Sequence, residues 1–252
     1  MCVFAVLNRI LPECPLLILA NREELRARPT ASPQLWDVSP DCHGWLGGTD
    51  RQAGGTWLGL NAAGMVVSVT NRPTPQPDGL LRSRGLLCRD LLAYDSLEEA
   101  EGEATRQMQR HSFSGFNLLL LSRERSLVIE AGDAPRYKPL PAGIHAITNS
   151  SLNDPEDRRV RRVTRELQCA VTAAAPLDDA IEAAMAIFRL IDNGDSPAIC
   201  QTGGEWGTVS STLIALTDDP AEVRYFYAPG PPATTEYHDF SPLAKSLLLS
   251  KA

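Results

Sequence analysis

The chain opens Met1-Cys2-Val3-Phe4-Ala5-Val6-Leu7, a thiol at the head of an apolar run that reads as a strand. If Met1 is removed, Cys2 carries a thiol and a free α-amine on one residue. The amine titrates at about 7.7–8.0 and the thiol at about 8.5, so the two are closely matched near neutrality. One residue then supplies both the attacking sulfur and the acceptor for its proton. If Met1 stays, Cys2 is a small hydrophobe starting a strand. Nucleophilic chemistry also needs an oxyanion donor, a group that orients the amine, and a charged residue near the thiolate. Asparagine donates without titrating. Three asparagines close apolar strands: Asn21 in LANREE, Asn71 in SVTNRP and Asn149 in AITNSS, with Thr-Asn repeated at 70–71 and 148–149. Asparagine also favours the turn that follows a strand, which is the plain alternative.

The stretch NREELRARP places Arg22, Glu23 and Glu24 beside Asn21. Either Arg22 or one of the glutamates polarises the thiol and orients the amine, or the segment is a charged strand exit whose ions face water. His43, His111, His145 and His238 have no cysteine or carboxylate at triad spacing. His145 lies within an apolar strand and reads as a core histidine. Ser210, in VSSTL, sits at a small-polar strand entry where hydroxyls usually pair with backbone. Trp36, Trp45, Trp57 and Trp206 neighbour Gly or turn residues and could wall a pocket or belong to the core.

The six cysteines (2, 14, 42, 88, 169 and 200) form no C-x-x-C pair and no Cys/His cluster with zinc spacing, so no metal site is expected. The start lacks the basic n-region of a secretory signal, and Arg9, Pro12 and Glu13 interrupt the apolar run. No apolar stretch approaches the ~20 residues that span a bilayer. The expectation is a soluble protein of a reducing compartment, cytoplasmic. A net charge of -7 argues against nucleic acid as a partner, because phosphate neutralisation needs a basic face. The basic run RRVRRVTR, Arg158 to Arg165, lies among acidic residues and reads as a solvated helix face.

These side chains must be held by strands and helices that the pattern also announces. Strands are expected at 2–7, 16–21, 56–61 and 65–70, the last two joined by Ala62-Ala63-Gly64 in a hairpin-sized turn. Residues 27–55 read as a long loop rich in Pro, Gly and Asp, which carries function or hidden structure. Helices follow at 84–94 and from Ser96, where Glu99 completes a capping box. Strands come next at 116–121, 126–131 and 144–149. Val160, Val163, Leu167 and Val171 recur at helical spacing, as do Ile181, Met185, Phe188 and Ile191 within 177–191. Strands at 208–217 and 223–228 lead into a Pro-rich tail. Helix pairs bunched between hairpin-like strands argue for α+β with antiparallel sheets, here in a single domain over 1–252. GGTD and AGGTWLG are Gly-rich but precede no helix, so a phosphate cradle is not expected.

Together, MCVF (1–4), LANREE (19–24), GGTDRQAGGTWLGLNAAG (47–64), VTNRP (69–73) and ITNS (147–150) resemble the NRDE family, that is, the transport and Golgi organisation protein 2 family. The signature Asn-Arg-Asp-Glu stands here as Asn21-Arg22-Glu23-Glu24, with one acid a methylene longer. That family in turn looks like the N-terminal-nucleophile hydrolases. The resemblance implies a four-layer αββα sandwich, two antiparallel sheets between helix layers. Gly59-Leu60-Asn61-Ala62-Ala63-Gly64 through Asn71 is similar to the choloylglycine and penicillin V acylase pattern. By that likeness Cys2 takes the nucleophile's place, Asn71 the oxyanion-hole position, and Asn149 that of an asparagine touching the nucleophile's amine, with Asn61 in support. The acylases' Arg and Asp three apart are matched only by Asn21 and Glu24, with Arg22 one position off. Their arginine after a Ser-Ser pair is missing, since Ser210-Ser211 leads to Thr212-Leu213-Ile214. The implied function is an amide hydrolase or acyl transferase acting on a small-molecule amide or acyl substrate without a cofactor. The alternative implied by the same family is a non-catalytic carrier of haem, lipid or acyl-CoA, with Cys2, Cys42 and His43 as candidate haem ligands.

Overall fold

Strand alternation and helical periodicity resolve into nineteen elements in the computed structural model, which describes residues 2–36, 44–75, 79–132 and 134–250. In chain order they begin with β1 (Val3–Leu11), β2 (Cys14–Leu25), β3 (Thr30–Trp36), β4 (Trp45–Asp50), β5 (Leu58–Asn61) and β6 (Val66–Asn71). Helices α1 (Arg84–Leu91) and α2 (Leu97–Arg110) follow, then β7 (Phe116–Leu121), β8 (Ser126–Ala131), β9 (Arg136–Pro139) and β10 (Gly143–Ile147). After these come α3 (Arg158–Ala170), α4 (Leu177–Phe188), β11 (Trp206–Leu216), a 3-10 turn (Pro220–Glu222), β12 (Arg224–Ala228), β13 (His238–Asp239) and α5 (Ser241–Leu249).

The chain divides into two compact units. The first holds the residues up to Ala27 together with Leu140–Ser241, and its sheet has the order β10-β1-β2-β11-β12-β13. Every pairing in it is antiparallel. One face of this sheet carries Val3, Ala5, Leu7, Leu17, Leu19, Ala146, Leu213 and Ala215, which pack against α3 and α4 through Val160, Val163, Leu167, Ile181, Ala184 and Phe188. Because strand side chains alternate, Cys2, Phe4 and Val6 belong to the opposite face.

The second unit, Arg28–Pro139 with Pro242–Ala252, is a seven-stranded antiparallel meander ordered β3 to β9. Val67, Leu118, Leu120 and Ile129 pack there on Leu87, Leu91, Ala100 and Ala104 of α1 and α2. Ser96 accepts the Glu99 N–H at 3.2 Å, so the N-cap half of the expected capping box starts α2.

Four expectations need correction. The loop over 27–55 contains β3 and β4, hidden because Pro33 and the pair Gly47-Gly48 break the apolar alternation. Those glycines are packing devices: a Cβ on Gly47 would lie 2.6 Å from the Leu58 carbonyl oxygen, and one on Gly48 2.8 Å from that of Ala31. The Pro-rich tail ends in α5, whose SPLAKSLLLS spelling is a short helix started by Ser-Pro. Ile191 lies beyond α4 and is exposed, so the helical repeat stops at Phe188. Finally, the basic run is not one solvated face. Arg159 and Arg162 are buried, while Arg158, Arg161 and Arg165 remain outside.

Candidate active site around Cys2

The registers of three strand pairs put four of the expected residues in one row. Val3 pairs with Asn21, so Cys2, one residue earlier, lies opposite Arg22. Arg22 pairs in turn with Ser210 on β11. On the other side of β1 the pairing ends at Phe4 with Ile147, and Asn149 lies in the bend two residues after β10. The row Asn149–Cys2–Arg22–Ser210 runs from the ends of β10 and β1 onto β2 and β11, with Cys2, Arg22 and Ser210 on the face away from α3 and α4. Neighbouring strands are about 4.8 Å apart, so Arg22 lies one strand away from the thiol.

Strand alternation splits the signature tetrapeptide. Arg22 and Glu24 share the Cys2 face, where Arg22 Nη2 lies 3.7 Å from Glu24 Oε2. Asn21 and Glu23 point to the helix face and are structural. Asn21 Nδ2 donates to the carbonyls of Phe188 and Ile199, both at 3.0 Å, tying the end of α4 to the segment before β11. The Glu23 carboxylate is gripped by Arg159 of α3, whose Nη1 reaches Oε2 at 3.0 Å and whose Nη2 bonds Oε1. Arg159 Nε also donates to the Ala198 carbonyl at 2.8 Å.

Asn149 follows β10 in a segment held by its neighbours' hydroxyls. Ser150 Oγ bonds Asp157 Oδ2 at 2.9 Å, and Thr148 Oγ1 bonds the same oxygen. Asp157 caps α3 with its other oxygen, accepting from the N–H of Arg159 at 2.8 Å and of Val160 at 3.2 Å. Burial alone would raise this carboxyl's pKa, but the hydroxyls of Thr148 and Ser150 and the two helix N–H groups hold it below the ordinary carboxylate range. Sequence reading missed Asp157 and Arg159. The available signal was an Asp immediately before a helical repeat, the spelling of an N-cap.

Electrostatics at Cys2 favour the neutral thiol. Burial pushes its pKa up, while the Glu23 backbone N–H and the Arg22 charge pull it down without cancelling that effect. Asn149 Oδ1 and Ser210 Oγ, both buried, make no hydrogen bond among the described residues. Unmet polar atoms of this kind are costly unless something else satisfies them. His145 is a satisfied core histidine as expected, with Nε2 at 2.8 Å from the Pro141 carbonyl and Nδ1 at 2.9 Å from Asn153 Nδ2.

Asn61 and Asn71 belong to the second unit. Asn61 is a brace: Nδ2 donates to the carbonyls of Leu92 (3.2 Å) and Tyr94 (2.8 Å), and Oδ1 accepts the Met65 N–H at 2.9 Å. Asn71 is the exposed last residue of β6, paired with Phe116. Cys42 and His43 lie outside the described residues. No helix among the described residues is long and apolar enough to cross a membrane.

Comparison with known proteins fits this layout. The human transport and Golgi organization protein 2 homolog is 26% identical over 200 residues, covering 76% of this chain and 71% of its own. The bovine homolog is 26% identical over 229 residues, covering 81% and 83%. Among solved structures, the Caenorhabditis elegans ortholog of N-acylethanolamine-hydrolyzing acid amidase aligns with a TM-score of 0.54 at 16% identity, covering 86% of this chain and 94% of that one. A C2A mutant of conjugated bile acid hydrolase from Clostridium perfringens aligns with a TM-score of 0.61 at 12% identity, covering 96% and 93%. These likenesses give the fold: α+β, two antiparallel sheets with helices, shared with those two enzymes. The family pattern described as Transport and Golgi organisation 2 matches residues 1–226, and the chain belongs to that family.

Proposed function

We propose that the protein is a cysteine-dependent amide hydrolase or acyl transferase in which Cys2, freed at its amino terminus by loss of Met1, is the nucleophile. The observation that carries this reading is the pairing of Arg22 with Ser210 on the face that Cys2 shares, with Asn149 just beyond the end of the neighbouring strand β10. Both solved relatives are named as hydrolases, which supports the reaction class.

The chemistry follows from the thiol's environment. Burial keeps Cys2 protonated, so attack requires a base in contact with Sγ at the moment of reaction. A free α-amine on the same residue, with an ordinary pKa of about 7.7–8.0, is neutral often enough near pH 8 to serve. Sulfur attacks the carbonyl and the amine takes the thiol proton. The tetrahedral oxyanion is met by the amide of Asn149, whose backbone is fixed through Thr148, Ser150 and Asp157. The amine then hands its proton to the leaving nitrogen, and water or an acceptor releases the acyl group from the thioester. Arg22 supplies positive charge one strand from the thiol and orients the substrate. Ser210 offers the next polar contact along the row.

The test is intact mass and turnover on the purified protein with a panel of N-acyl amides and acyl thioesters. Loss of Met1 with an acyl adduct on Cys2 supports the proposal. Unchanged turnover in C2A, or full retention of Met1 in an active sample, refutes it. If C2A leaves ligand binding intact and no turnover is found, the family's other implied role, a non-catalytic carrier, takes its place. A haem titration then asks for a Soret shift, and none is expected from a row of polar groups around a protonated thiol.

A further inference from the structure

The first turn of α3 reaches both flanks of the Cys2 site through one chain of hydrogen bonds. At the start of β1 the pairing with β2 ends at Val3 and Asn21, and Glu23 comes two residues past that last pair. There its backbone N–H meets Cys2 Sγ. The Glu23 side chain leaves the opposite face of β2 and has no exposed surface. Arg159 grips both carboxylate oxygens, Nη1 on Oε2 at 3.0 Å and Nη2 on Oε1. The backbone N–H of the same Arg159 donates to Asp157 Oδ1 at 2.8 Å. Asp157 Oδ2 accepts in turn from the hydroxyls of Thr148 and Ser150, the residues on either side of Asn149.

A backbone donor is only as well aimed as the peptide plane that carries it. The Glu23 peptide lies beyond the end of the β1 ladder, so β1 does not fix it. On the other side β2 meets β11 across an irregular step, Thr208 with Glu23 and then Ser210 with Arg22. A bulge of this kind leaves a residue unpaired and disrupts the ladder locally. The two-point grip of a guanidinium on a carboxylate supplies the missing geometry. Arg159 is itself anchored, since Nε donates to the Ala198 carbonyl at 2.8 Å and Nη2 to that of Ile199 at 3.3 Å. In the proposed reaction negative charge reaches sulfur twice. It does so when Sγ yields its proton to the α-amine and attacks the carbonyl carbon, and again when the thioester S–C bond breaks and its electron pair returns to sulfur. A donor aimed at Sγ stabilises both.

We propose that Arg159 is a positioning residue for the Cys2 nucleophile: its guanidinium holds Glu23 so that the Glu23 N–H points at Sγ, while Asp157, in the same helical turn, holds the segment that carries Asn149. The proposal rests on the reading of Cys2 as the nucleophile. In this role Arg159 acts through Glu23 and not on the substrate.

The experiment is the pH profile of Cys2 alkylation by iodoacetamide in the full chain, read by peptide mapping, which follows the thiol whether or not a substrate turns over. Cys2 is half-buried, so the reagent reaches it. Among the described residues the charges that act on this thiol are Glu23 and Arg22, and every variant keeps both. R159M removes the grip, and R159K keeps the positive charge without the paired donors. In each, the midpoint of the profile should rise by about half a pH unit or more, which is about a threefold smaller thiolate fraction at a given pH below it. V163A loosens the same helix through a fully buried core residue; its melting temperature should fall while the midpoint stays with the parent's. Unfolding of R159M would move its midpoint the other way, toward the value of about 8.5 for a free cysteine, and R159K then decides. A parent-like midpoint in folded R159K, or an equal rise in V163A, overturns the proposal. If the R159K midpoint rises but C2A turns over as the parent does, the reading of Cys2 as nucleophile fails while the aiming of the thiol's donor by Arg159 stands. If C2A abolishes turnover and the R159K midpoint does not move, that reading stands and this proposal falls.

Discussion

Replacing Arg159 with alanine tests whether the signature glutamate is structural. The substitution strips Glu23 of both guanidinium hydrogen bonds, on a carboxylate whose side chain has no exposed surface. It also takes a donor from the Ala198 and Ile199 carbonyls. Removing one partner of a buried ion pair typically costs about 3–5 kcal/mol, because the remaining charge stays desolvated. For a chain of this size each kcal/mol shifts Tm by about 2–4 °C, so R159A should melt about 6–20 °C lower. The assay is urea and thermal unfolding, with R161A as control, since Arg161 is exposed on the same helix and should change stability by no more than about 0.5 kcal/mol. The double variant E23L/R159M, which removes both charges, should recover most of the loss. Equal melting of R159A and R161A would refute the structural role assigned to Glu23.

Three other substitutions and titrations follow from the same geometry. D157A should lose about 0.5–2 kcal/mol through the missing cap, and D157N less. Asp157 has a folded pKa below its unfolded value of about 3.9, so its contribution is complete above that value and fades as pH falls through the folded one. The acid limb of a stability–pH curve should therefore flatten in D157A, and an unchanged limb would count against the assignment. S210A removes a buried hydroxyl with no partner among the described residues, so unfolding should show equal or slightly higher stability while turnover falls; a clear destabilisation would mean that Oγ is satisfied. The rate of alkylation of Cys2 should rise with pH along a curve displaced above that of a free cysteine, because burial raises its pKa. A rate already at its plateau at neutral pH would contradict the protonated thiol.

Much of the fold was legible because its strands are apolar and its helices regular. β1, β2, β6, β7, β8 and the four helices α1 to α4 fell where alternation and the 3.6-residue period put them. β3 and β4 were not legible, since Gly47 and Gly48 exist to let neighbouring backbone approach and leave no apolar signature. The Cys2 row was half legible: each residue stood out by type, but their alignment depends on inter-strand register, which is set by long-range pairing. The division of Asn21-Arg22-Glu23-Glu24 between two faces was open to inference, because a strand of period two must separate its odd and even positions. The partner of Glu23 was hidden. Arg159 lies 136 positions away, in a run whose charge density resembles that of a surface helix.

The most direct test of the central claim is the mass of the mature protein before and after exposure to a slowly hydrolysed N-acyl substrate, with the adduct located by peptide mapping. Cys169 is exposed and provides an internal reference for indiscriminate labelling. The account predicts a chain beginning at Cys2, with a single acyl group on that residue that is absent in C2A and diminished when Arg22 is replaced by leucine. A chain that keeps Met1 and acquires acyl groups only at Cys169 would contradict it.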